Sequence, residues 1–86
     1  MESYELIKYP IATEKAIRLM EAENKLVFVV DRKATKQEIK KAAEELFKAK
    51  ITAVNTLNSV KGTKHAFITF AKETPAIDIA TNLGIM

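Results

Sequence analysis

Fourteen lysines and arginines, eleven carboxylates and one histidine are the side chains of this 86-residue sequence best equipped for chemistry, and no cysteine accompanies them. Their spacing argues against catalysis. His65 is flanked by Lys64 and Ala66, so a metal held by it would need carboxylates from elsewhere, and a surface histidine is the expected reading. Glu44 and Glu45 are adjacent in a helical pattern and point in different directions, whereas an acid/base pair needs a shared cleft. They are read instead as partners for Lys40 and Lys41. With only two glycines, Gly62 and Gly84, no glycine-rich phosphate cradle can form. A phosphatase-like enzyme would need an arginine in the first strand-to-helix loop, and Tyr9-Pro10-Ile11-Ala12 supplies none. No enzyme activity, cofactor, metal or small-molecule substrate is expected.

The amines and guanidiniums are unevenly placed. From Arg32 to Lys64 there are nine basic residues and three acidic ones, a surplus of six. The rest of the chain carries five basic and eight acidic residues, for a total of +3. A polyanion is therefore the first partner to consider, with a solvated lysine-rich surface as the alternative. Arg32, Lys33 and Lys36 crowd the start of a helix, where the helix dipole disfavours cations, so a phosphate oxygen is the expected ligand there. Lys61, Gly62, Lys64 and His65 form a second basic group at the tip of a hairpin, suited to an RNA backbone or groove. A separate class, a protein-docking module, would use the acidic Glu14, Glu21 and Glu23 of the first helix.

The elements that must position these groups follow from local pattern. Tyr4 to Tyr9 reads as a short strand that Pro10 ends. Thr13 caps a helix to about Glu23, with Ala16, Ile17 and Met20 on one face and Asn24 in the left-handed closing position. Leu26 to Val30 is an unbroken apolar run, too short for a free helix, and reads as a buried strand. Thr35-Lys36-Gln37-Glu38 is a capping box, and Ile39, Ala42, Ala43, Leu46 and Phe47 then form one apolar stripe. Lys36, Lys40, Lys41, Glu44, Glu45 and Lys48 lie opposite it. Ile51 to Leu57 and His65 to Ala71 form a hairpin around Asn58, Ser59, Lys61 and Gly62. Last, Thr74 caps a helix with Pro75 in its first turn, a stripe of Ala76, Ile79, Ala80 and Leu83, closure at Gly84, and Ile85 packing back on Ala80. The order is β-α-β-α-β-β-α, an α+β fold of two to three layers with a small, mainly antiparallel sheet and a right-handed crossover through the second helix. With no repeat or linker, residues 1–86 read as one RNA-binding domain. The absence of cysteine and of any long apolar run points to the cytoplasm rather than to secretion or a membrane.

Several segments in this order resemble the family of large-subunit ribosomal protein twenty-three. They are Tyr9-Pro10-Ile11-Ala12-Thr13-Glu14-Lys15-Ala16, Asp31 through Lys40, Leu46-Phe47, Val54-Asn55-Thr56-Leu57 and Lys61-Gly62. The ending from Ala76-Ile77-Asp78-Ile79-Ala80 through Leu83-Gly84-Ile85 resembles the archaeal branch. The resemblance covers nearly the whole chain. It implies a ribosomal RNA-binding protein beside the nascent-chain exit, next to ribosomal protein twenty-nine, and a docking platform for signal recognition particle and other exit-site factors. By position in the matching segments it marks Lys15, Lys33, Lys36, Asn55, Thr56, Lys61 and Lys64 as RNA-facing, and Glu14 as the counterpart of an acidic chaperone-docking residue in bacterial relatives. Two departures stand out. The hairpin lacks the long basic extension that reaches into the tunnel in bacterial relatives. Lys48 also stands where relatives often have glycine or aspartate.

Overall fold

A computed structural model describes residues 6–58 and 62–84. Its elements are β1 (Ile7–Pro10), α1 (Glu14–Glu23), β2 (Lys25–Val30), α2 (Lys36–Phe47), β3 (Ile51–Asn58), β4 (Lys64–Phe70) and α3 (Ala76–Asn82), the order expected for this α+β fold. The sheet runs β1-β2-β4-β3, and every neighbouring pair is antiparallel. β2 and β3 are therefore parallel to each other, with β4 lying between them.

Alternation along β2 sends Leu26, Phe28 and Val30 to one face, where they join Ala66, Ile68 and Phe70 of β4, Ile39, Ala42 and Ala43 of α2, and Ala76, Ile79 and Ala80 of α3. The ring of Phe47 stacks on Phe28 at 5.3 Å between centroids and meets Phe70 edge-on at 6.2 Å. Burial of a side chain such as Phe28 contributes about 1.5–3 kcal/mol. Val27 and Val29 face the other way and are also buried. On that side α1 comes over the sheet, its Ala16 and Leu19 lining a cavity with Val27 and Phe67.

Local signals place the starts of α1 and α2. The Thr13 hydroxyl accepts from the Ala16 N–H at 3.2 Å, and the capping box of α2 is complete: Glu38 N donates to Thr35 Oγ1 at 3.2 Å and Thr35 N to Glu38 Oε1 at 3.0 Å. That bond from the Thr35 backbone is the main reason the Glu38 carboxyl is held below its ordinary range, and the Thr35 hydroxyl bond adds to it. A depressed acid contributes stability above its unfolded value near 4.5 and loses it as pH falls through the lower folded value. Acid titration of stability is thus expected to lose this component below pH 4.5 in the parent. In Glu38→Gln this component should be missing from the curve, and an unchanged curve would remove Glu38 from the account.

Several details differ from expectation. β1 begins at Ile7 and includes Pro10, because β1 is an edge strand; Ile11 N donates to Val27 O at 2.9 Å, so the alternate residue Pro10 turns its nitrogen away from β2 and loses no ladder bond. Leu46 is 43% exposed, since the sheet beneath α2 takes Phe47 and leaves Leu46 about 100° round the helix. Leu83 is 40% exposed at the C-cap of α3, one step past the buried stripe. The N-cap of α3 is Pro75 rather than Thr74, and no cap side chain bonds the helix end. That duty falls to Asn24, whose Oδ1 accepts from Ala76 N at 2.6 Å. Tyr4, at the expected start of β1, Ser59 of the expected turn and Ile85, expected to pack on Ala80, lie outside the described residues.

α2 ends with Lys48 in the left-handed region, φ 51° and ψ 45°. Glycine occupies this conformation without the cost a Cβ carries there. Lys48→Gly is expected to raise stability by about 0.5–1 kcal/mol, read as a Tm gain of roughly 3–6 °C. A fall in Tm would show that the Lys48 stem packs usefully.

Candidate nucleic-acid interface

Register brings the strand ends together. Val30 of β2 and Asn58 of β3 both pair with Lys64 at the start of β4, and Ile7 at the start of β1 pairs with Val30. One end of the sheet therefore gathers segments that the sequence holds far apart. Gly62 takes a left-handed φ of 81°, and a Cβ placed there would sit 3.7 Å from the Arg32 guanidinium. Arg32, Asn58, Gly62 and Thr63 line one pocket, while Lys8, Asp31, Arg32 and Lys33 line a shallow depression beside it. Lys8, Arg32 and Lys33 are exposed and make no ion pair among the described residues. Asp31, the one carboxylate in this depression, accepts from Lys33 N at 2.8 Å. Three exposed cations thus face solvent around a strand-end rim, an arrangement that a polyanion relieves.

The expected RNA-facing residues divide. Arg32, Lys33 and Gly62 belong to this rim, and Lys36 is exposed in the first turn of α2. The amide end of α2 is already engaged by the capping box and carries the Glu38 carboxylate, so phosphate would be met by side chains rather than by the helix axis. Lys64 is half-buried and its ammonium donates to the Ala34 carbonyl at 2.6 Å, tying β4 to the turn before α2. Lys61 lies outside the described residues. Lys15 and His65 occur elsewhere, lining the cavity between α1 and the hairpin with Leu57 and Phe67. Asn55 shares that face, opposite Phe67. Thr56, opposite the fully buried Ala66, turns to the other. Neighbours on a strand cannot both address one ligand from one face.

Glu14 and Glu21, the proposed docking carboxylates, are both exposed on α1 and two turns apart. Glu14 is bonded to Arg18 at 2.8 Å. On α2, Lys40 and Glu44 form no ion pair among the described residues, contrary to the expected pairing. Lys8, Asn58 and Thr63 were missed from sequence. Lys8 adjoins Arg32 only through strand pairing, so no local signal identifies it.

Among the described residues no three histidines or carboxylates gather to hold a metal, and no helix is long and apolar enough to cross a membrane. Fold and rim together define a small α+β module that presents cations from its strand ends. The sequence model of the family Ribosomal protein L23 matches residues 5–80. The large ribosomal subunit proteins uL23 of Methanococcus aeolicus, Methanococcus maripaludis and Methanococcus vannielii are each 47% identical over 85 residues, covering 99% of both chains. The chain belongs to the ribosomal protein L23 family, whose members are structural, non-enzymatic constituents of the large ribosomal subunit. The expected archaeal affinity is met by these relatives.

Proposed function

We propose that this chain binds large-subunit ribosomal RNA through the rim of Lys8, Arg32 and Lys33, with Lys36 and the hairpin tip beside it. The observation that carries the reading is the convergence of three exposed cations from two strand ends around one depression with a single carboxylate, Arg32 also reaching the Gly62 turn. Such a rim neutralises phosphates and sets register on an RNA without turnover. Family membership supports a place beside the nascent-chain exit, next to ribosomal protein twenty-nine. There the exposed carboxylates Glu14 and Glu21 would serve signal recognition particle or another exit-site factor. The test is binding to a transcript of the large-subunit ribosomal RNA from the same genome. Affinity should fall steeply with salt, log K declining by about 0.7–0.9 per phosphate contact. Equal affinity for an unrelated structured RNA of the same length would sink the assignment. For the docking face, Glu14→Lys should weaken factor binding to intact subunits, and unchanged binding would exclude Glu14.

A further inference from the structure

We propose that the cavity between α1 and the hairpin receives an unstacked nucleobase of the bound RNA, an inference that rests on the RNA reading above. The cavity measures about 270 Å³. That is just below the roughly 300–1,000 Å³ typical of drug-sized ligand sites, the scale of one planar ring system. Its walls have two parts. Leu19 and Val27 with the ring of Phe67 make an apolar floor, and Leu57, 59% exposed, stands at the margin. His65 and Lys15 supply the polar part, and neither side chain makes a hydrogen bond or ion pair among the described residues. His65 and Phe67 alternate along β4, so two aromatic rings address the same side of the sheet, and Asn55, exposed opposite Phe67, brings an amide to that side.

This combination matches what a splayed-out base needs. Aromatic rings and aliphatic walls take its faces, an amide or imidazole reads its edge, and a lysine takes the phosphate that follows it. The cavity lies at the same end of the sheet as the cationic rim. Leu57 and His65 form the pair next to Asn58 and Lys64, one residue in from the strand ends and on the alternate face. An RNA held by Arg32 and Lys33 would reach the cavity by turning round that end of the sheet. Lys15 attracts a phosphate and an acidic peptide alike; the two rings and the Asn55 amide on one face favour the base, and a protein side chain is kept as an outcome of the test.

The experiment uses the full chain and the same large-subunit RNA transcript. His65→Ala removes one stacking ring from a half-exposed position, and Leu57→Trp, at an exposed position, blocks the mouth; circular dichroism and Tm confirm that each folds. Both should bind about 10-fold or more weakly with an unchanged salt slope, because stacking releases no counterions. Lys15→Gln should instead reduce the slope by about one phosphate contact. Base-reactivity probing of the wild-type complex should show one nucleotide protected that becomes reactive with Leu57→Trp. Parental affinity in both His65→Ala and Leu57→Trp, with Arg32→Gln/Lys33→Gln still weakened, overturns the cavity and leaves the rim standing. If the Arg32/Lys33 variant also binds normally, the RNA reading itself fails. Normal RNA affinity for Leu57→Trp, coupled with failure to join large subunits, would assign the cavity to a neighbouring protein and overturn the nucleobase.

Discussion

Asn24→Ala is expected to lower stability by about 3–5 kcal/mol and Tm by about 15 °C or more. Few single side chains in this fold hold so many segments. Asn24 Nδ2 lies 3.0, 3.1 and 3.3 Å from the carbonyls of Phe70, Ala71 and Thr74, and its Oδ1 takes the Ala76 N–H. The end of α1, the exit from β4 and the start of α3 are thus held by one amide. Its two N–H groups share three acceptors, so about three effective bonds at roughly 1 kcal/mol each are lost, with partners left half-buried. The backbone adds a further cost of about 1 kcal/mol, because Asn24 sits at φ 57° and ψ 39°, which alanine tolerates poorly. Asn24→Gly separates the two contributions: it relieves the backbone and should recover only that last part. Urea unfolding of the three proteins is the measurement. A loss under about 1 kcal/mol for Asn24→Ala would mean water replaces the amide at no cost.

The second large effect concerns the rim. Lys8→Gln/Arg32→Gln/Lys33→Gln should weaken binding to the large-subunit transcript by about 100-fold or more near 0.1 M salt and flatten the log K against log salt plot by about three contacts. The control neutralises Lys48, Lys50 and Lys72, which lie toward the opposite end of the sheet, where Ile51 pairs with Phe70. Their loss should leave the slope nearly intact. Equal weakening by the two triple variants would reduce the rim to general positive charge.

Most of the fold was legible because its signals are local. Thr13, Thr35 and Glu38 act within three or four residues, and the run from Leu26 to Val30 needs no partner to be read as buried. What escaped depends on partners far along the chain. Asn24 was read as a helix terminator, which it is, but its bonds reach residues 46 to 52 positions away. Lys64 reads as a free cation until the turn at Ala34 is folded against it. Lys8 enters the rim only once β1 pairs with β2. Asn55 and Thr56 are different: strand alternation alone separates them, and that signal was present in the run itself. Leu46 and Leu83 fit the helical period, yet Leu46 is turned away from the sheet that takes Phe47 and Leu83 is the C-cap of α3.

The strand order has a temporal consequence. β4 occupies the interior of the sheet but is the last strand to be synthesised, so β2 and β3 leave the ribosome with no strand to join them. Until Lys64 to Phe70 emerges, the growing polypeptide carries two open edges and a half-covered row of Leu26, Phe28 and Val30, a state prone to wrong association. Assembly then waits for β4, which pairs locally with β3 as a hairpin and at long range with β2, and a chain interrupted before β4 would be a target for degradation rather than a partly folded protein.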